Sequence, residues 1–234
     1  MKISAQSFSY IGRVRKRNED SLFLNREHGV FAVADGVGGL PGGELASQTA
    51  MKALESVVED PSVGRDPAAW VQWMQQAVLA EARRGGYAQG IATTLTLLAF
   101  DDEGATLAHV GDSGAFRIRD RQIQTLTEVH NVEHENRARG LPVDETDRYR
   151  FAITRCLGME ELVVPQIQRF ETHPGDVFLL ATDGLTDLLE PAEILRVFLR
   201  DPDLDAFLET LRVECFERGA HDNVTAIALR IENS

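Results

Sequence analysis

Five aspartates stand at the ends of apolar, β-branched runs. Asp20 precedes Ser-Leu-Phe-Leu, Asp35 closes Val-Phe-Ala-Val-Ala-Asp, and Asp112 follows Ala-Thr-Leu-Ala-His-Val-Gly. Asp183 closes Val-Phe-Leu-Leu-Ala-Thr-Asp, and Asp222 precedes Asn-Val-Thr-Ala-Ile-Ala-Leu. A strand that turns away from its sheet carries its last side chain to the rim of the core. Such rims can meet in one place only if the strands belong to one packed sheet system. Carboxylates gathered there repel one another and resist ionisation unless cations are bound. Hard, oxygen-ligated cations such as Mg²⁺ or Mn²⁺ suit that donor set. Asp is also common at turns for local reasons; the recurrence of the pattern favours a cluster.

The segment 13–21 adds a second chemistry. Arg13, Arg15, Lys16 and Arg17 abut Asn18-Glu19-Asp20. Arginine suits bidentate binding of phosphate, and the adjacent carboxylates suit a metal; a solvated charged turn is the plain alternative. Glycines follow Asp35, where a backbone must turn tightly or approach a ligand closely. They do not form a dinucleotide-binding fingerprint, because Pro41 occupies the third glycine position, and no Gly-Lys-Ser/Thr follows as a phosphate loop requires.

Two other strings carry rival chemistry. Gly111-Asp112-Ser113-Gly114 matches the surroundings of a trypsin-like nucleophile, but that chemistry needs a histidine base and an orienting acid. His109 lies on the same run as Ser113 and no second motif supports it. His130-Asn131-Val132-Glu133-His134 fits a zinc-protease pattern, yet no third ligand stands in a matching context.

The elements that must position these residues follow from periodicity. Helices are predicted over 44–58, over 67–84 with Asp66 as N-cap and Pro67 as first residue, from Pro191, and over 203–218. Trp70 and Trp73 are assigned to helix packing. Strands are predicted at 3–9, 21–25, 29–34, 93–100, 105–110, 115–119, 122–126, 163–170, 177–182 and 224–231. They come in pairs and meanders, which argues for an antiparallel α+β domain. No repeat or linker divides the 234 residues, so a single domain spanning 1–234 is expected. The net charge of −13 argues against a nucleic-acid partner. No apolar run approaches the roughly 18 residues of a membrane span, and the N-terminus has no apolar signal segment. Cys156 and Cys215 match no zinc or redox spacing. A cytoplasmic, monomeric protein with no membrane association and reduced thiols is expected.

Taken in order, seven pieces resemble the metal-dependent protein serine/threonine phosphatases of the protein phosphatase 2C type (the PPM family), in the form of a free-standing bacterial catalytic domain. They are Arg-x-x-Asn-Glu-Asp at 15–20, Asp-Gly-Val-Gly-Gly at 35–39, Thr-Thr at 93–94, Gly-Asp-Ser at 111–113, Thr-Arg-Cys-Leu-Gly at 154–158, Asp-Gly-Leu-Thr-Asp at 183–187 and Asp-Asn-Val-Thr at 222–225. The resemblance implies an α+β fold, a four-layer α-β-β-α sandwich of two antiparallel sheets flanked by helices. It also implies two to three Mn²⁺ or Mg²⁺ held by Asp20, Asp35, Gly36, Asp112, Asp183 and Asp222. Asp35 would bridge two cations, with the Gly36 carbonyl on one and Asp183 and Asp222 on the other. Asp20 and Glu19 would hold metal-bound waters. Asp112, with Asp183 and Asp187, would form the weaker third site of bacterial members, and Arg15 would bind phosphate.

The implied reaction is hydrolysis of phosphoserine and phosphothreonine on proteins by a metal-bridged hydroxide, opposing a separate serine/threonine kinase in signal transduction. Gly114, Val37 and Leu40 stand where relatives often carry Arg, His and His, so the general acid is unassigned. The family's mobile flap corresponds to 127–140. Within the polar stretch 127–150, His130, His134, Arg137 and Arg139 are expected to read the peptide around the phosphoresidue. Family members that lose metal ligands become binding or sensing modules; here every ligand position is filled by Asp.

Overall fold

Strand β3 (Val30–Asp35) is buried at every residue but the last, and its side chains alternate between two cores. Val30, Ala32 and Ala34 pack against the apolar faces of helices α1 (Gly43–Glu59) and α2 (Pro67–Gly85). Phe31 and Val33 point the other way, into a layer shared with Phe178, Leu180, Ile227 and Leu229 of a second sheet. Each such fully buried side chain contributes roughly 1.5–3 kcal/mol. The structure is a computed structural model that describes residues 1–37, 42–144, 146–160 and 162–232. Gly38, Gly39 and Leu40, which belong to the glycine-rich segment, lie outside the described residues.

The first sheet has the order β1 (Ile3–Tyr10), β10 (Val224–Ile231), β9 (Val177–Ala181), β6 (Gly114–Arg119) and β7 (Gln122–Thr125). The second has the order β2 (Asp20–Asn25), β3, β4 (Leu95–Asp101), β5 (Gly104–Val110) and β8 (Gln166–Phe170). All strand pairings are antiparallel. Helices α5 (Pro191–Arg200) and α6 (Leu204–Glu217) cover the outer face of the first sheet through Ile194, Val197, Phe207 and Leu211. The result is the expected four-layer α-β-β-α sandwich. No helix among the described residues is long and apolar enough to cross a membrane.

Helix α2 starts as its sequence demands: the Asp66 side chain accepts the Ala68 N–H at 3.0 Å and Pro67 opens the helix. Strand β8 begins at Gln166 rather than 163, and three further features differ from the predicted elements. Strand β4 begins at Leu95 rather than 93, because Thr93 bridges Gly36 and Leu157 instead of joining the ladder. Trp70 is buried at 2% exposure, but Trp73 is 58% exposed and packs into no core. Two short helices, α3 (Val132–Ala138) and α4 (Asp183–Thr186), occupy segments read as loop.

Candidate active site

Asp20 and Asp35 are register partners in the β2–β3 ladder. Asp183 follows β9 as the first residue of α4, Asp222 stands two residues before β10, and Asp112 lies in the turn between β5 and β6. Strands from both sheets therefore end at one rim. A cleft of about 960 Å³ opens there, lined by Arg15, Asp35, Asp112, Asp183 and Asp222. Asp20 sits behind them at 8% exposure, where its Oδ2 accepts the Thr182 hydroxyl at 2.9 Å.

The backbone around Asp35 is held by the threonine pair. Thr94 N–H and Thr93 Oγ1 both donate to the Asp35 carbonyl at 2.8 Å. Asp35 N–H donates to Thr94 Oγ1 at 2.9 Å, and that hydroxyl also meets Ser113 Oγ at 3.1 Å. Gly36 must be glycine because the N-terminus of α1 presses against it: a Cβ there would lie 2.3 Å from the Gly43 carbonyl carbon. Arg15 reaches the cleft from an exposed loop and donates to Asp222 Oδ2 at 2.5 Å. Asn223 fastens that loop. Its Oδ1 accepts the Glu19 N–H at 2.8 Å, and its amide donates to the Ile11 and Arg17 carbonyls at 2.9 Å each.

The electrostatics are those of crowded acids. Burial first, then the mutual repulsion of neighbours, pushes Asp112 up to about 7. Burial does the same to Asp20, which is pushed up to about 7 despite hydroxyl donors from Thr225 and Thr182. Asp35 is raised well above the carboxylate range by burial and by the charge of Asp183. Burial first, with the charges of Asp222 and Asp187, pushes Asp183 up to about 6.

Among the described residues, the buried side-chain polar atoms with no hydrogen-bond partner are Asp20 Oδ1, Asp112 Oδ1 and Asp183 Oδ1. All belong to this cluster. A buried carboxylate oxygen without a donor is costly, and a hard divalent cation is the partner such oxygens select. The donor set thus fits a metal. No three His, Cys, Asp or Glu side chains among the described residues already form a finished cage. Asp222 is occupied by its ion pair with Arg15. A cation that takes Asp222 as a ligand has to loosen that ion pair.

The other expected positions separate into near and far. Glu19 is half-buried, and its carbonyl accepts the Gly36 N–H at 3.1 Å. Asp187 is exposed and lines, with Asp112, a second cavity of about 550 Å³. His134, Arg137 and Arg139 are exposed on and just after α3, with Arg137 paired to Glu133 at 2.7 Å and Arg139 to Glu135 at 3.3 Å.

His130 does not belong with them. It is 2% exposed, so its ring cannot read a bound peptide. The stretch around it is also better anchored than a polar loop with few ties. Val132 N–H donates to Ala152 O at 3.1 Å and Glu133 N–H to Arg150 O at 2.8 Å. The Asn131 side chain caps α3 by accepting the His134 N–H at 2.8 Å.

Both rival chemistries fail on geometry. His130 precedes the N-cap of α3 while His134 is inside the helix and exposed, so the two imidazoles do not share a helical face. His109 engages Thr96 Oγ1 at 2.9 Å and the Gly111 and Glu128 carbonyls at 3.1 Å, whereas Ser113 meets Thr94. Among the described residues no base serves that serine. Asn223, Thr182 and the threonine pair were not assigned roles by sequence reasoning; the signal for Asn223 was its place directly after Asp222.

Comparison with known proteins gives the same picture. The family model described as protein phosphatase 2C matches residues 13–219. The serine/threonine protein phosphatase PstP of Mycobacterium tuberculosis is 32% identical over 225 residues, covering 92% of this chain but 42% of that protein's length. The chain thus spans less than half of that relative. The protein phosphatase PhpP of Streptococcus pneumoniae is 28% identical over 226 residues, covering 92% of each. A solved structure of the PstP catalytic domain in complex with two manganese ions superposes with a TM-score of 0.85 at 28% identity, covering 99% of both chains. With two antiparallel sheets, a rim of aspartates and a match over most of its length, the chain belongs to the protein phosphatase 2C family.

Proposed function

We propose that the chain is a single catalytic domain over 1–234 that removes phosphate from phosphoserine and phosphothreonine on proteins, acting on the products of a separate serine/threonine kinase in signal transduction. The observation that carries this is the set of partnerless buried oxygens on Asp20, Asp112 and Asp183 around a cleft that also holds an arginine.

In this reading Asp35, Asp183 and Asp222, with the Gly36 carbonyl, hold a pair of Mn²⁺ or Mg²⁺ ions. Asp20 and Glu19 support the waters around them, and Asp112 with Asp183 and Asp187 holds a third ion. When bound, the cations would lower the pKa of a water at the site toward neutrality and so supply a nucleophile. Arg15 binds the phosphoryl oxygens and spreads the charge that develops on them. In the metal-free chain its ion pair with Asp222 places the guanidinium at the cleft. The peptide on either side of the phosphoresidue lies along the cleft walls, where Tyr87, Phe151 and Met159 offer apolar surface. Exposed His134, Arg137 and Arg139 contact its flanking residues. The buried, unpaired Cys156 and Cys215 support a cytoplasmic, reducing setting.

The test is phosphate release from a phosphothreonine peptide by the purified chain. Release is expected with Mn²⁺ and is expected to stop after EDTA treatment. Undiminished release after EDTA treatment and dialysis, or none on any phosphopeptide with Mn²⁺ present, would sink this reading.

A further inference from the structure

His130 grips one residue from both sides. Its ring Nδ1 accepts the Gly111 N–H at 3.1 Å, and its own N–H donates to the Gly111 carbonyl at 2.8 Å. The same carbonyl also accepts from His109 Nε2 at 3.1 Å. The two imidazoles stack, with centroids 4.9 Å apart and planes at 28°. Gly111 has φ 111°, a left-handed conformation, and a Cβ there would lie 2.6 Å from Thr94 Cγ2. Its peptide has little room to move and precedes Asp112 directly. Asp112 Oδ1 is one of the partnerless buried oxygens.

Behind the ring the network continues into helix α3. Arg155 Nε donates to Glu135 Oε1 at 3.1 Å, and its Nη1 lies 3.2 Å from His130 Nε2 as a charge near the ring, not a bonded partner, since both atoms are donors. Glu135, on α3, also accepts the Thr154 hydroxyl at 2.9 Å, and Thr154 N–H donates to the His130 carbonyl at 2.9 Å. An N–H can only donate, so Nδ1 carries no proton. Burial, and next the charge of Arg155, push His130 down to about 4, which keeps the ring neutral and Nδ1 free to accept.

We propose that His130 is a positioning residue: through the Gly111 peptide it sets where Asp112 presents its carboxylate, and through Thr154 and Glu135 it makes helix α3 part of that support. The role assigned to Asp112 rests on the phosphatase reading; the mechanical link from His130 to Gly111 does not.

The test compares His130→Asn with His130→Gln. Asparagine places an amide oxygen where Nδ1 stands and can still accept from Gly111. Glutamine carries its oxygen one bond further and cannot. Amide hydrogen exchange of the metal-free chain reads the link directly. Gly111 should exchange ~10-fold faster or more in His130→Gln and near the wild-type rate in His130→Asn. Calorimetry with Mn²⁺ should show the weakest site losing ~10–100-fold in affinity in His130→Gln, the range for groups that orient metal ligands, and regaining most of it in His130→Asn. With an aryl phosphate substrate, kcat should follow the same order while KM stays put.

Protection of the β5 and β6 amides shows in the same experiment whether each variant is folded. Folded variants that both exchange like wild type, or that are equally impaired, would overturn the proposal. If both variants unfold, Glu135→Gln loosens the network from outside the core; unchanged exchange at Gly111 in that variant overturns it too. A wild-type chain without phosphatase activity leaves the exchange result standing and fails the phosphatase reading alone.

Discussion

Asp20 and Asp35 face each other as register partners at the end of the β2–β3 ladder, and Asp183 enters the same rim from the other sheet, just after β9. Acids pressed together with no cation between them hold their protons to higher pH. This crowding implies a stability cost at neutral pH that bound metal would remove.

The first prediction is a pH dependence. Burial and crowding push Asp20 and Asp112 up to about 7 in the folded chain and Asp35 well above the carboxylate range, against about 3.9 when unfolded. Between those values the folded, metal-free state holds more protons than the unfolded one, so stability falls as pH rises. The contribution is complete below the unfolded value and is lost as pH rises through the folded values. His109 and His130, pushed down to about 3 and about 4, act in the opposite direction below their unfolded value, which is about 6.5. The window from about pH 6.5 to 8 therefore isolates the carboxylates. In EDTA, Tm measured by circular dichroism should fall across that window, and Mn²⁺ should flatten the fall. A Tm that rises with pH in EDTA would contradict the placement of these acids.

Asp35→Asn and Asp183→Asn should separate stability from activity. Each removes one of two crowded acids, so the metal-free variant should melt higher than wild type at about pH 7.5. About 1 kcal/mol of relief corresponds to roughly 2–4 °C in a chain of this size. Turnover of a phosphopeptide should drop more than ~100-fold, beyond the usual cost of a group that merely orients a ligand. A variant with near wild-type turnover would remove that residue from the metal set.

Arg15→Ala should lower kcat/KM by ~10–100-fold, the cost of a charge-assisted contact to phosphate. Product inhibition by inorganic phosphate should weaken in parallel. Manganese affinity should hold or improve, because the variant frees Asp222 from its ion pair. Weaker Mn²⁺ binding together with unchanged phosphate inhibition would mean that Arg15 supports the metals rather than the substrate.

Asn223→Ala should act on the loop that carries Arg15. It strands the Glu19 N–H and the Ile11 and Arg17 carbonyls. An unsatisfied buried group costs about 1–3 kcal/mol, so a lower Tm and a raised KM for phosphopeptide are expected. Unchanged KM in a folded variant would show that the loop is held by other contacts.

The layers and most strands were legible because their patterns are strong. Val30–Asp35 alternates between two cores that both want apolar residues, and Val224–Ile231 emerges with the boundaries its composition suggests. The convergence of the aspartates could be anticipated because each closes or opens such a run. Helix α3 was not legible because none of its residues is buried; its only local signal was Asn131 as a cap with Glu133 and Glu135 in the first turn. The same absence of an apolar face made 127–150 look unanchored. His130 was misplaced for a related reason. A histidine in a polar stretch gives no local sign that long-range folding will bury it against the peptide of Gly111. The threonine pair and Asn223 bond to backbone groups far away in sequence, and no spacing rule carries that information.

The most direct test of the carboxylate cluster is calorimetric titration of the metal-free chain with Mn²⁺ at about pH 7 in two buffers of different ionisation enthalpy. Bound ions must displace the protons that burial and crowding hold on the acids of the cluster. The account therefore predicts saturable binding of at least two ions, a heat that changes with the buffer because protons are released, and loss of binding in Asp183→Asn. An absence of saturable binding, or binding unchanged in Asp183→Asn with no buffer dependence, would contradict it.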